Sequence, residues 1–582
     1  MLDSKSFSIR LEQHLVKIYG GVKTTKEIKQ VSNDLLVFIE SKFSKNPPKF
    51  LNNVSKWSEK DTILISYPNS IVENKRKPLS TLKKFLDKHC MNMISIIHIL
   101  PFFPSSSDQG FSVKDYYSVD KNFGSWDDIK RISQKFSVMG DVVLNHGSSK
   151  SKWFENFLNG SGPGSKYFLT ADKNLDLSTV TRPRTSDLLS KVDTANGEKY
   201  VWCTFSEDQV DYDFENFEVL KEFISIITFY LENGISVFRF DAVAFLWKKI
   251  GTGCVNLPET HEIVRLFRTI LDYLAPSAIL VTETNTPARE NVTYFGNANE
   301  AHWIYNFSLP PILIYTVLKG DSSYLEKLTM SLPPAQLGAS YLNFVASHDG
   351  IGLRPIEGMM SKSEINKLIN KMKNNGGEIS YRINKDNKES PYEINISLFD
   401  AMQETLNGNE DFHFDRFLCI HIIMLSLEGV PAFYIHSLFG TKNDKNLYSK
   451  TNKKRDLNRH VFEIDNLKKI IDDENNHGSF IFYKLKNLIA IRKKQTAFHP
   501  NAVQFTLHLG KNFYGVWRQS LDKSQSIFCI TNVTDENREF SLMDINLIGF
   551  DQWRDLISNK TLSDIHSKIT LKPYQTIWVS NK

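Results

Sequence analysis

Short apolar runs alternate with amphipathic stretches through most of this chain. Residues 1–60 come first and carry helical periodicity, with Leu11, Leu15 and Ile18, then Leu35, Leu36 and Ile39, gathered on apolar faces. Eight strand-like runs follow: TILISY (62–67), MISIIHIL (93–100), SVMGDVVLN (137–145), GISVFRFDA (234–242), AILVTET (278–284), HWIYNFSL (302–309), ASYLNFVAS (339–347) and GVPAFYIH (429–436). Helical patterns lie between them, so consecutive runs pair in parallel through helical crossovers. The pattern predicts an α/β fold, a closed (β/α)8 TIM barrel over residues 61–490. Two intervals exceed a plain strand–helix unit. Between Asn145 and Gly234 a helical pattern at 215–232 leaves an insertion at about 147–212. A second insertion, at about 350–410, contains a polar, Lys-rich segment in which Gly376-Gly377 marks a turn. Long loops on the carboxyl face of a barrel usually shape its active site. Residues 491–582 change to strand and turn patterns (FYGVWRQ, QSIFCITNV, TIWVSNK), which predict a small C-terminal all-β domain.

Composition adds mainly exclusions. A chain of 582 residues is expected to hold more than one core, and its net charge of +5 gives no reason to expect a nucleic-acid partner. No run approaches the length of a membrane span, and MLDSKSFSIRLEQHLVKIYG lacks the apolar stretch of a signal peptide. Cys90, Cys203, Cys254, Cys419 and Cys529 are scattered and form no metal-binding spacing, which favours a reducing compartment. The expectation is a cytoplasmic monomer or homodimer with no membrane partner and no metal. Aromatic residues make up 12% of the chain; most are expected in the core, although such rings also suit sugar faces.

Three carboxylates follow three of the apolar runs: Asp241 in VFRFDAVAF, Glu283 in ILVTETN and Asp349 in NFVASHDGIG. Each would project from the carboxyl end of a strand. Retaining glycoside chemistry needs one carboxylate as nucleophile and a second carboxyl as acid, then base. Arg239 precedes Asp241 by two residues, which places both on one face of a strand, where the guanidinium would keep the carboxylate ionised. His146 and His348 end two other runs, suited to hydrogen bonding with sugar hydroxyls.

DVVLNH, VFRFDAV, VTET and ASHD, in this order, resemble the four signature regions of the α-amylase superfamily, glycoside hydrolase family 13, and QVDYDFEN (209–216) resembles its additional region. The resemblance covers essentially the whole chain. It implies Asp241 as nucleophile, Glu283 as acid/base and Asp349 as transition-state stabiliser, supported by Arg239, His146 and His348. Further segments, among them LPFFPSSSDQGFSVKDYYSVD, VTRPR, SHDGIGLRPIEG, SPYEIN and RDLNRH, resemble its sucrose-phosphorylase-type subfamily. Such enzymes transfer glucose from a glucoside to inorganic phosphate as co-substrate, without a cofactor, giving α-glucose 1-phosphate. The same resemblance implies Asp108 and Arg455 closing the glucose pocket, with Phe111 as an apolar wall. Arg184, Tyr392, Phe245 and Glu393 would stand on the phosphate and acceptor side, and Arg182 would either assist or cap the insertion. The basic cluster around Arg455 and Arg459 reads as a solvated or ion-paired loop.

The chain departs from plain sucrose phosphorylases in its TETN-x-P-x-x-EN stretch, in Glu393 where they usually have Gln, and in Phe245 where Tyr is usual. The wording resembles enzymes with an anionic aglycone. The expected glucoside is therefore 2-O-α-glucosylglycerate, with sucrose 6′-phosphate, sucrose or glucosylglycerol as alternatives. A hydrolase or transglucosylase on the same site is the rival activity. A non-enzymatic binding protein on an amylase-like barrel is the remoter one.

Overall fold

The computed structural model describes residues 3–45, 56–383, 388–549 and 551–582. Residues 1–2 and 46–55 of the expected N-terminal segment, 384–387 of the second insertion and 550 of the expected C-terminal domain lie outside them.

Each of the eight apolar runs contains a strand. They are β1 (Ile63–Ser66), β2 (Ile96–Ile99), β3 (Ser137–Val143), β4 (Ile235–Asp241), β5 (Ile279–Thr282), β6 (Trp303–Tyr305), β7 (Ser340–Phe344) and β8 (Val430–Tyr434). Every strand pairs in parallel with its neighbours in sequence, and β8 closes on β1. Strands covered on both faces explain why the runs are apolar throughout rather than alternating. The register between β3 and β4 fixes the chemistry to come: Asp141 lies opposite Arg239 and Val143 opposite Asp241. Alternation then turns Asp141, Arg239 and Asp241 to the same side of the sheet.

Around the barrel, helix Ser4–Tyr19 buries Phe7, Leu11 and Leu15 against Pro258–Leu274, with the Phe7 and Tyr273 rings stacked at 4.1 Å. The first insertion carries a short helix (Lys152–Asn159), the hairpin Leu189–Thr194/Gly197–Trp202 and a two-stranded contact between His146–Ser148 and Gln209–Asp211. The second holds a helix, Lys362–Asn374, which buries Leu368, Ile369 and Met372, and a three-stranded antiparallel sheet ordered Ile351–Gly352, Glu389–Asn395, Glu378–Ile383. Gly376, at φ +85°, makes the turn between that helix and the sheet. Lys362, Lys367 and Lys373 lie on the solvent side of this ordered helix, whereas Lys371 is buried and pairs with Glu404 at 3.1 Å.

Beyond the last barrel helix, strands from Val503–Leu507 to Thr576–Ser580 form a six-stranded sheet. It is fixed to the barrel by buried polar contacts. Trp578 Nε1 donates to Ser426 Oγ (2.9 Å), and Arg518 donates to the carbonyls of Ser426 (3.1 Å) and His499 (2.9 Å).

Candidate active site

Asp241 ends β4, and Arg239 Nη1 donates to its Oδ1 at 2.7 Å. The same nitrogen donates to Asp141 Oδ1 (2.5 Å), and Asp141 Oδ2 lies 2.9 Å from His98 Nε2 on β2. Arg239 is therefore held between two carboxylates, 2% exposed, with the Phe111 and Tyr305 rings each 5.6 Å from its guanidinium carbon. Asp141 and His98 were not among the candidate residues. The signal for Asp141 was present, since it opens the DVVLNH segment on the strand beside β4.

After Asp241 the backbone turns through Ala242, a non-glycine residue at φ +54°. That strained turn aims the Ala242 N–H at Glu283 Oε2 (3.1 Å), placing the second carboxyl beside the first. Burial raises the proton affinity of Glu283 and the carboxylate of Asp349 adds to it, while Arg239 opposes. Burial raises that of Asp241 too, with Arg239 opposing and Glu283 adding. Of these two carboxyls only Asp241 accepts a direct bond from Arg239, at 2.7 Å, which favours its charged form.

Asp349 lies past the end of β7. Its Oδ1 is 2.7 Å from Arg455 Nη1 and its Oδ2 is 3.4 Å from His348 Nε2. Against the penalty of burial, these two partners hold its carboxyl far below the usual range. Burial keeps His348 neutral; its ring stacks on Phe111 at 5.3 Å and 7°, and meets Tyr67 edge-on. Asp108 is 4.0 Å from Arg455 Nη1 and receives Gln209 Nε2 at 3.3 Å. Gln209 also lies 3.0 Å from His146 Nε2, and burial takes that imidazole down to about 4. Gln209 was overlooked although it begins QVDYDFEN.

The loop that carries Asp108 is pinned by its serines. Asp208 of the first insertion accepts from the hydroxyls of Ser106 (2.6 Å), Ser107 and Ser112 (3.0 Å). On the other side Gln109 donates to Asp456 (2.5 Å) and accepts from Arg459 (2.6 Å). The basic cluster is thus absorbed by the site's scaffold: Arg459 also donates to the His348 carbonyl (2.9 Å), and His460 pairs with Asp444 (2.7 Å).

Glu393, expected on the acceptor side, is turned to Arg455: both its oxygens accept from that guanidinium, at 2.9 and 2.7 Å, and it is 2% exposed. A carboxylate so engaged orients the guanidinium it holds. The remaining acceptor-side candidates do gather. Arg184 lies over the rings of Tyr392 (5.3 Å) and Phe205 (5.9 Å), Phe205 packs edge-on against Phe245 (5.5 Å), and Asn285 Nδ2 donates to the Tyr392 hydroxyl (3.4 Å). Arg182 donates to the carbonyls of Thr185 and Ser186 in its own loop, the capping arrangement. Lys248 ties this wall down through Asp211 (2.6 Å), Asn145 (2.7 Å) and the Phe245 carbonyl. Among the described residues, no cluster of three or more His, Cys, Asp or Glu has the arrangement of a metal site, and no helix is long and apolar enough to cross a membrane.

Comparison with known proteins agrees with this geometry. The α-amylase catalytic-domain family model matches residues 91–349, the span from β2 to Asp349. The glucosylglycerate phosphorylase of Allomeiothermus silvanus is 40% identical, over 90% of this chain and 91% of its own. That of Escherichia coli is 34% identical over 98% of this chain and 99% of its own. The crystal structure of sucrose 6F-phosphate phosphorylase from Thermoanaerobacter thermosaccharolyticum shares the fold, with a TM-score of 0.71 at 24% identity, covering 88% of this chain and 98% of that one. A barrel with three carboxyls at the ends of β4, β5 and β7, matched over nearly its whole length by such relatives, belongs to the α-amylase family, in its sucrose-phosphorylase-type branch.

Proposed function

We propose that this chain is a retaining glucoside phosphorylase that cleaves 2-O-α-glucosylglycerate with inorganic phosphate, releasing α-glucose 1-phosphate and glycerate. The observation that carries the reading is identity of 40% and 34%, across nine-tenths or more of the chain, to two proteins of that activity.

The geometry supplies a mechanism. Asp349, Arg455, Asp108 and His348 form the closed end that grips one glucosyl unit. Glu283, protonated, gives its proton to the glycosidic oxygen as Asp241 attacks the anomeric carbon. The carbon–oxygen bond breaks, glycerate leaves with its hydroxyl restored, and a β-glucosyl ester forms on Asp241. Phosphate then enters from the side the glycerate vacated and displaces Asp241, and Glu283 recovers any proton the incoming phosphate sheds. Two inversions leave the α-anomer.

A phosphorylase must hold phosphate where a hydrolase admits water. Arg184, half-buried and lying over the aromatic faces of Tyr392 and Phe205, is the cation for that task. Arg184→Ala raises KM for phosphate by roughly 10-fold to 100-fold, the loss of one charge-assisted contact, with a much smaller change in KM for the glucoside. Glucose should then appear beside glucose 1-phosphate as water competes. Initial rates across a phosphate series test this; an unchanged phosphate dependence removes Arg184 from the acceptor site.

A further inference from the structure

A cavity of about 1100 Å³ is walled on one side by the loop that follows Glu283, including Pro287 and Glu290, and on another by Arg354 and Glu357. Arg354 reaches it by way of the second insertion's sheet. Strand Ile351–Gly352 pairs antiparallel with Glu393–Ile394, and Leu353 N–H donates to the Tyr392 carbonyl at 2.9 Å. Arg354 therefore sits beside Tyr392, whose hydroxyl receives Asn285, two residues beyond Glu283. Gly352 fits against Asn285 so closely that a Cβ there would lie 2.9 Å from its side-chain oxygen. Arg354 and Glu283 both lie near enough to Tyr392 to act on it electrostatically.

Arg239 and Arg455 are each held by two carboxylates. Arg354 makes no hydrogen bond or ion pair with any described residue. The acids that share its cavity are taken: Glu357 accepts from Arg382 (2.6 Å) and Glu290 from Asn256 (3.0 Å). Burial, opposed by Tyr392 and reinforced by Arg382, holds the Arg354 proton affinity below the ordinary arginine value. Glu290 and Glu357 act on it only from a distance, and a partly desolvated guanidinium without a direct ion pair gains most when an anion meets it.

We propose that Arg354 selects a carboxylated aglycone: its guanidinium pairs with the glycerate carboxylate. The proposal rests on the glucosylglycerate reading and names the residue that gives that reading its charge preference. It also separates two cations around one tyrosine, Arg184 serving phosphate and Arg354 serving the carboxylate.

The test runs the reaction in the synthetic direction, with glucose 1-phosphate as donor and either glycerate or glycerol as acceptor. The parent enzyme prefers glycerate. Arg354→Ala lowers the ratio of kcat/KM for glycerate over glycerol by roughly 10²-fold, the loss of one charge-assisted pair, and Arg354→Lys recovers part of it. Circular dichroism melts accompany each variant, and because the readout is a ratio, a general loss of folded enzyme does not move it. An unmoved ratio overturns the proposal. If the parent itself prefers glycerol, the glucosylglycerate reading falls, and the role of Arg354 falls with it.

Discussion

Asp241→Asn leaves the fold intact and lowers kcat by roughly 10⁴-fold or more, the effect of removing a nucleophile from a double displacement. The fold survives because the amide is isosteric and Arg239 keeps its 2.5 Å bond to Asp141, so no buried cation is orphaned. The arrest comes from chemistry alone: an amide oxygen carries too little charge to attack the anomeric carbon. A melting temperature near that of the parent, with glucose 1-phosphate release at background, is the expected pair of observations. Turnover within about 100-fold of the parent would remove Asp241 from the nucleophile's role.

The second large effect separates the two half-reactions. Glu283→Gln cannot protonate the glycosidic oxygen, so phosphorolysis of the glucoside falls by roughly 10³-fold. α-Glucosyl fluoride needs no such proton, because fluoride leaves as the anion. The variant should therefore keep most of its rate from that donor to phosphate. The same reasoning gives a pH signature. Burial and Asp349 raise the Glu283 pKa, so the acid form persists above the ordinary carboxyl range and the rate with glucosylglycerate declines as pH rises through that value. With the fluoride donor that alkaline decline should vanish. Equal losses on both donors would show that the substitution disturbs the pocket rather than the proton.

The barrel and the placing of three carboxyls at its strand ends were legible because their signals are local. A fully buried parallel strand is apolar on both faces, so β1 to β8 stand out as runs, and the structure trims each by only a few residues at its ends. Asp241 and Arg239 share a face by simple alternation. The parts that were not legible depend on pairings between distant segments. Glu393 resembles an acceptor-side residue by position, yet the antiparallel register of the second insertion turns it onto Arg455. The serines before Asp108 look like an ordinary polar loop until Asp208, about a hundred residues on, gathers their hydroxyls. Arg354 lies within the segment SHDGIGLRPIEG, yet its place at the cavity follows only from the sheet that sets it beside Tyr392. The cations that act on Tyr392 are Arg184 and Arg354, which come together from separate insertions.

The central claim is the pairing of this aglycone with this acceptor. The most direct measurement is glucose 1-phosphate release when the enzyme and phosphate meet, separately, 2-O-α-glucosylglycerate, sucrose 6′-phosphate, sucrose and glucosylglycerol. The account predicts release from glucosylglycerate well above the other three, with the α-configuration retained in the product. Release led by another glucoside, or free glucose formed at a rate indifferent to phosphate, would contradict it.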